Sequence, residues 1–122
     1  MPENFRRFEA SDPFGRNWVA EFRWIQNAIS IRHSDSVDVK FQLIRGADIE
    51  EKVIALRHPD LLELSKRTGR AITDAWCMKI AALHLREMIQ TDRDMDKILV
   101  TPLIADLERH ASVLDAPEPV RR

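Results

Sequence analysis

Residues 73–90, TDAWCMKIAALHLREMIQ, constrain the fold more than any other stretch of this chain. At about 100° per residue, Cys77, Met78, Ala81, Ala82, Leu85, Met88 and Ile89 fill one side of a helix. Trp76, Ile80 and Leu83 fill most of the opposite side. Lys79, Arg86 and Gln90 leave only a narrow polar strip, with His84 and Glu87 between the two apolar sectors. Such a helix must be wrapped by the rest of the domain or by a second copy of the chain. Its start is well marked: Thr73 is a good N-cap, and Asp74 suits the positive end of the helix dipole. A shorter helix precedes it. Pro59 opens that helix, where the missing N–H costs nothing, and Gly69 closes it in a left-handed C-terminal position.

The residues before Pro59 read as strands. Trp18, Ala20, Phe22 and Trp24 alternate with Val19, Glu21 and Arg23, the period of a half-buried strand. Gln26-Asn27 is a candidate turn, followed by the alternating Ile29 and Ile31, then the turn His33-Ser34-Asp35-Ser36. Val37, Val39, Phe41 and Leu43 alternate with Asp38, Lys40 and Gln42 in the cleanest strand. Arg45-Gly46-Ala47-Asp48 turns the chain into a fourth strand over 52–56. Residues 1–15 are polar, end in the turn Asp12-Pro13-Phe14-Gly15, and read as an arm. Past Gln90, residues 92–98 are a candidate short helix. Thr101-Pro102 opens a further helix with Leu103, Ile104, Leu107 and Ala111 as its stripe. The expected fold is α+β: a two-layer sandwich, with an N-terminal four-stranded antiparallel meander (about 16–57) followed by three to four helices (about 59–112) packed on one face. Residues 16–114 form a single domain in this reading, and 115–122 a loose tail.

A length of 122 residues suits one core, and 44% hydrophobic with 32% charged residues is an ordinary globular balance. The net charge of -1 argues against a generally basic nucleic-acid binder. Cys77, the one cysteine, allows neither an intrachain disulfide nor a multi-cysteine zinc site. No run approaches the ~20 apolar residues of a membrane span, and the charged N-terminal thirty residues carry no signal-peptide pattern. The expectation is a cytoplasmic protein with no membrane association.

Chemistry is thinly signalled. The turn at His33 holds a base, hydroxyls and a carboxylate, but Ser and Asp there serve a hairpin's own backbone. Cys77 and His84 share a helix side, yet seven residues separate them by about 10 Å, too far for a thiolate–imidazole pair. His84 is an ionisable group on an otherwise apolar helix. The four histidines are scattered in sequence, with no HxxxH or CxxC spacing, and three glycines cannot form a phosphate cradle. No metal or cofactor is expected.

One local run carries a resemblance. Val53-Ile54-Ala55-Leu56-Arg57-His58-Pro59-Asp60, followed by Leu64-Ser65-Lys66-Arg67-Thr68-Gly69-Arg70-Ala71-Ile72-Thr73-Asp74-Ala75, resembles the ribbon-helix-helix DNA-binding proteins, which include bacterial antitoxins. The resemblance, over 53–85, implies a strand pairing across a dimer and entering the major groove. It makes Lys52 and Arg57 the candidate DNA contacts.

The leading expectation is a non-enzymatic binding or interaction module, homodimeric because the long helix carries more apolar surface than a small sheet and short helices easily cover. Trp76, Ile80, Leu83 and His84 are the candidate interface. Arg23, Arg32 and Lys40, on the mixed-charge sheet face, are candidates for an acidic partner or ligand. The alternatives are a ribbon-helix-helix-like regulator, and a small enzyme with a pocket around His33 or His84.

Overall fold

Alternation of buried and half-exposed residues along Ser36–Arg45 fixes the orientation of the sheet: Val37, Val39, Phe41 and Leu43 are buried, while Asp38, Lys40 and Gln42 face outward. The structure, a computed structural model, describes residues 4–28 and 35–115. Its elements are β1 (Arg7–Ser11), β2 (Asn17–Ala28), β3 (Ser36–Arg45), β4 (Asp48–Arg57), α1 (His58–Thr68), α2 (Asp74–Thr91), β5 (Leu99–Val100) and α3 (Ile104–Asp115). The fold is α+β, with a five-stranded mixed sheet in the order β1-β2-β3-β4-β5 and three helices among the described residues. The first four strands form an antiparallel meander, and β5 joins β4 in parallel through Val53↔Leu99 and Ile54↔Val100.

Several expectations change. The segment read as an arm contains β1, whose Phe8 and Ala10 are buried against β2 and the core. Its polar appearance came from Arg7, Glu9 and Ser11, the outward half of a short alternation. β2 runs through Gln26-Asn27 without turning. The strand expected at Ile29 and Ile31 lies outside the described residues. In β2 a bulge between Phe22 and Trp24 breaks the alternation: Phe22 stands opposite Phe41 in the core, but Trp24 stands opposite Lys40 on the outer face. One extra residue, Arg23, moves Trp24 from the apolar side to the exposed one. Residues 92–98 form turns rather than a helix, because α2 ends at Asp92 in a left-handed conformation (φ 57°).

The punctuation residues act as expected. Gly46 (φ 61°) stands in the two-residue turn between β3 and β4. Gly69 (φ 72°) caps α1, its N–H bonding the Ser65 carbonyl. The Thr73 hydroxyl accepts the Trp76 amide at 3.1 Å. At the β1–β2 turn the buried Asp12 carboxylate accepts the amides of Phe14 and Arg16 at 2.9 Å each, Arg16 Nε at 2.6 Å and Trp18 Nε1 at 3.1 Å.

The two apolar sectors of α2 are both covered within the chain. Ala81, Leu85, Met88 and Ile89 join the strand residues in one core. The other sector meets α3, whose Leu107 and Ala111 are fully buried and whose His110 touches His84. α3 also packs on α1, where Arg67 pairs with Glu108. No helix among the described residues is long and apolar enough to cross a membrane.

Candidate functional site

Trp76, Ile80, Leu83 and His84, expected at an interface, are 8%, 0%, 7% and 1% exposed in the single chain. The surface that called for a second copy is instead occupied by α3. Lys52, expected at DNA, is buried, and its ammonium donates to the carbonyls of Met95 and Lys97 at 2.6 Å each. It ties the turns after α2 to the sheet. Arg57 is exposed at the end of β4, 3.9 Å from the Asp60 carboxylate. β4 itself has strand partners on both sides, β3 along its length and β5 at Val53 and Ile54. Arg32 and His33 lie outside the described residues.

Arg23 and Lys40 belong to a face of the sheet that no helix covers among the described residues. Lys40 bonds Glu51 at 3.0 Å and lies over the Trp24 ring at 5.6 Å from its centroid. Arg23 reaches Glu21 at 3.6 Å, and Arg7 bonds the same carboxylate at 2.5 Å. Across the strands the register sets Trp24, Lys40, Val53 and Leu99 in one row. Trp24 is 37% and Leu99 57% exposed. A second row joins Val19, Ile44 and Ile49, the last 62% exposed.

The other cluster is chemical. His84 and Glu87 stand three residues apart on α2, and so share one helix face. α3 brings His110 against them. His84 Nδ1 lies 3.0 Å from His110 Nε2, which lies 3.3 Å from Glu87 Oε2. The three ligand atoms all fall within 4.8 Å of one another. Arg109 fixes the carboxylate from outside: its Nη2 donates to both Glu87 oxygens at 2.7 and 2.8 Å and to Asp106 Oδ1 at 2.8 Å. Asp106 also accepts the Leu103 amide at 3.1 Å and Arg93 at 3.3 Å.

Electrostatics leave both rings neutral near pH 7. Burial lowers the His84 pKa more than Asp106 and Glu87 raise it. Burial, and then His84 itself, push His110 down to about 4. Burial raises the Asp106 carboxyl, but hydrogen bonds from Arg109, the Leu103 amide and Arg93 outweigh it and hold the group at about 2. One neutral imidazole therefore donates to the other across 3.0 Å, and His84 Nε2 stays buried with no hydrogen-bond partner among the described residues. A groove of about 280 Å³, lined by Leu83, Glu87, Arg109, His110 and Val113 among others, reaches the Glu87 and His110 side of the cluster, with His84 buried behind it. Cys77 is inert by contrast: burial and Asp74 raise its thiol to about 11.

The sequence carried one sign of the cluster, the His84-x-x-Glu87 spacing. Nothing in it placed His110 opposite, 26 residues away. No family model, curated protein or solved structure matches this chain.

Proposed function

We propose that this protein is a non-enzymatic interaction module that pairs with a second copy of itself through the open face of its sheet. The observation that carries the reading is the row Trp24, Lys40, Val53 and Leu99 across four strands, in which Trp24 and Leu99 are exposed, Val53 is half-buried and the Lys40 ammonium lies over the Trp24 ring. Isolated apolar residues on a surface need no explanation, but here Trp24 and Leu99 share one row, and Val19, Ile44 and Ile49 form another beyond the polar row Glu21, Gln42 and Glu51. Its charges favour a second copy over a polyanion. Arg7 and Lys40 alternate with Glu21 and Glu51 and are paired within the chain, so the face is of mixed sign, as a surface that pairs with its own copy requires. Its size is adequate. Five strands about 4.8 Å apart, the longest rising about 3.4 Å per residue, offer on the order of 700 Å². One side of a standard interface buries about 800 Å².

Light scattering on the purified chain tests this. The expected result is a dimer at tens of micromolar that becomes monomeric in Trp24→Glu, while Leu62→Glu on α1, more exposed than Trp24 (57% against 37%) but away from the sheet face, leaves it dimeric. A strict monomer for the unaltered chain removes the proposal. A dimer sensitive to Leu62→Glu and not to Trp24→Glu moves the interface elsewhere and removes it equally.

A further inference from the structure

We propose that His84, Glu87 and His110 form a binding site for one divalent transition-metal ion of the zinc class. Two imidazole nitrogens and a carboxylate oxygen are a recognised donor set for such an ion, and three protein ligands leave a fourth position open. The spacing fits. A tetrahedral ion with bonds of about 2.0–2.1 Å separates its ligand atoms by about 3.3 Å. His110 Nε2 and Glu87 Oε2 already stand 3.3 Å apart, His84 Nδ1 and His110 Nε2, at 3.0 Å, need only a few tenths of an ångström more, and the third pair, His84 and Glu87, lies within 4.8 Å and closes by a rotation of the Glu87 carboxylate. Each imidazole carries one lone pair when it ligates a metal, and a change of tautomer that moves the shared proton to the far nitrogen of its own ring turns both facing nitrogens into acceptors.

The surroundings are those of a supported site. Arg109 bridges Glu87 to Asp106, so the carboxylate is aimed before any ion arrives. When Glu87 Oε2 turns to the ion, Arg109 keeps Oε1, at 2.7 Å, and Asp106. Arg93 and Arg109 balance Glu87 and Asp106, so a divalent ion would leave its own charge uncompensated in the cluster. That charge makes water or an anionic group the natural fourth ligand, approaching along the groove beside Leu83 and Val113. The ion would also join α2 to α3, the contact that covers the second apolar sector of the long helix. None of this depends on the sheet face, which lies across the core, so the two proposals stand or fall separately.

Metal alone is the probe. Untagged protein stripped with a chelator is titrated with zinc by calorimetry and with cobalt(II) by visible absorption. The expected result is one ion per chain, with cobalt d–d bands of a low-coordinate site. Glu87→Gln keeps the shape of a half-exposed side chain and removes one ligand, so it should fold and bind at least roughly tenfold more weakly. His110→Asn is the second variant, with its fold checked by circular dichroism, and His58→Gln is the control, expected to bind like the unaltered chain. No saturable binding overturns the inference. So does binding that Glu87→Gln leaves unchanged, or that His58→Gln abolishes, since either places the ion elsewhere.

Discussion

Replacing Lys52 with methionine tests the idea that this lysine is an internal brace rather than a contact for nucleic acid. Its ammonium is 3% exposed as a residue and makes two 2.6 Å bonds, to Met95 O and Lys97 O. Hydrogen bonds from a charged donor contribute about 1.5–3 kcal/mol each, so the pair amounts to about 3–6 kcal/mol. Two effects reduce that figure. Burial holds the Lys52 pKa below its usual value, with Glu50 and Asp96 pulling it back, so removing the charge relieves a desolvation cost. Lys97 is exposed, so water takes over part of the lost bonding. Methionine also fills a similar volume. The net loss should be about 2 kcal/mol, equivalent to about 8 °C in melting temperature for a domain of this size. Urea unfolding should show a lower midpoint with an unchanged slope. Amide exchange should quicken at Val53, whose N–H bonds the Ile98 carbonyl at 2.8 Å, and along β5. The pH dependence has a definite sign. A lysine whose folded pKa lies below 10.5 adds stability as pH rises toward that value, and the variant should lack this gain. A change under about 0.5 kcal/mol, with Val53 and β5 protected as before, would refute the reasoning.

Two further outcomes follow from the turns. Asp12→Asn keeps an acceptor for the Phe14 and Arg16 amides but sets an NH2 group against the Arg16 and Trp18 donors, so it should lower the urea midpoint at neutral pH. Burial raises the Asp12 carboxyl, but those bonds outweigh it and hold the group near 2 instead of 3.8, so the difference from the unaltered chain should shrink as pH falls through that interval; a constant difference would show that charge is not the cause. Gly69→Ala should cost about 1 kcal/mol through its left-handed backbone alone, since φ is 72° and nothing lies within 4 Å of an added Cβ. No change in unfolding free energy would mean that the α1 cap tolerates a side chain.

The elements legible in the sequence were those specified by neighbours. Alternation in β3, the Gly46 turn, the Gly69 cap and the Thr73 cap are each decided within a few residues. What was hidden depended on partners far along the chain. The β2 bulge reversed Trp24 because pairing with β3, not the local alternation, sets which residue is extra. β5 is two residues long and exists through its bonds to β4 and the Lys52 brace. β1 was masked by its charged outward half. The apolar content of α2 called for a cover over the sector around Trp76, Ile80 and Leu83, which are buried within the single chain, and periodicity alone could not say which element would supply it.

The same pairing that solves this packing problem creates the cluster. α3 packs on both α1 and α2 with Leu107 and Ala111 fully buried and apolar, and it meets α2 through His110, which is buried but polar. A leucine at 84 or 110 would close that seam without the desolvation that pushes both imidazoles down, and without leaving His84 Nε2 unpartnered, which costs about 1–3 kcal/mol. Packing therefore does not account for two histidines at this seam. Nor does a salt bridge, since both rings are neutral near pH 7 and Glu87 is already held by Arg109. Two facing imidazole nitrogens beside a carboxylate already aimed by Arg109 are the geometry on which the proposed metal site rests, and a seam kept only for packing would tolerate their replacement by apolar residues without loss.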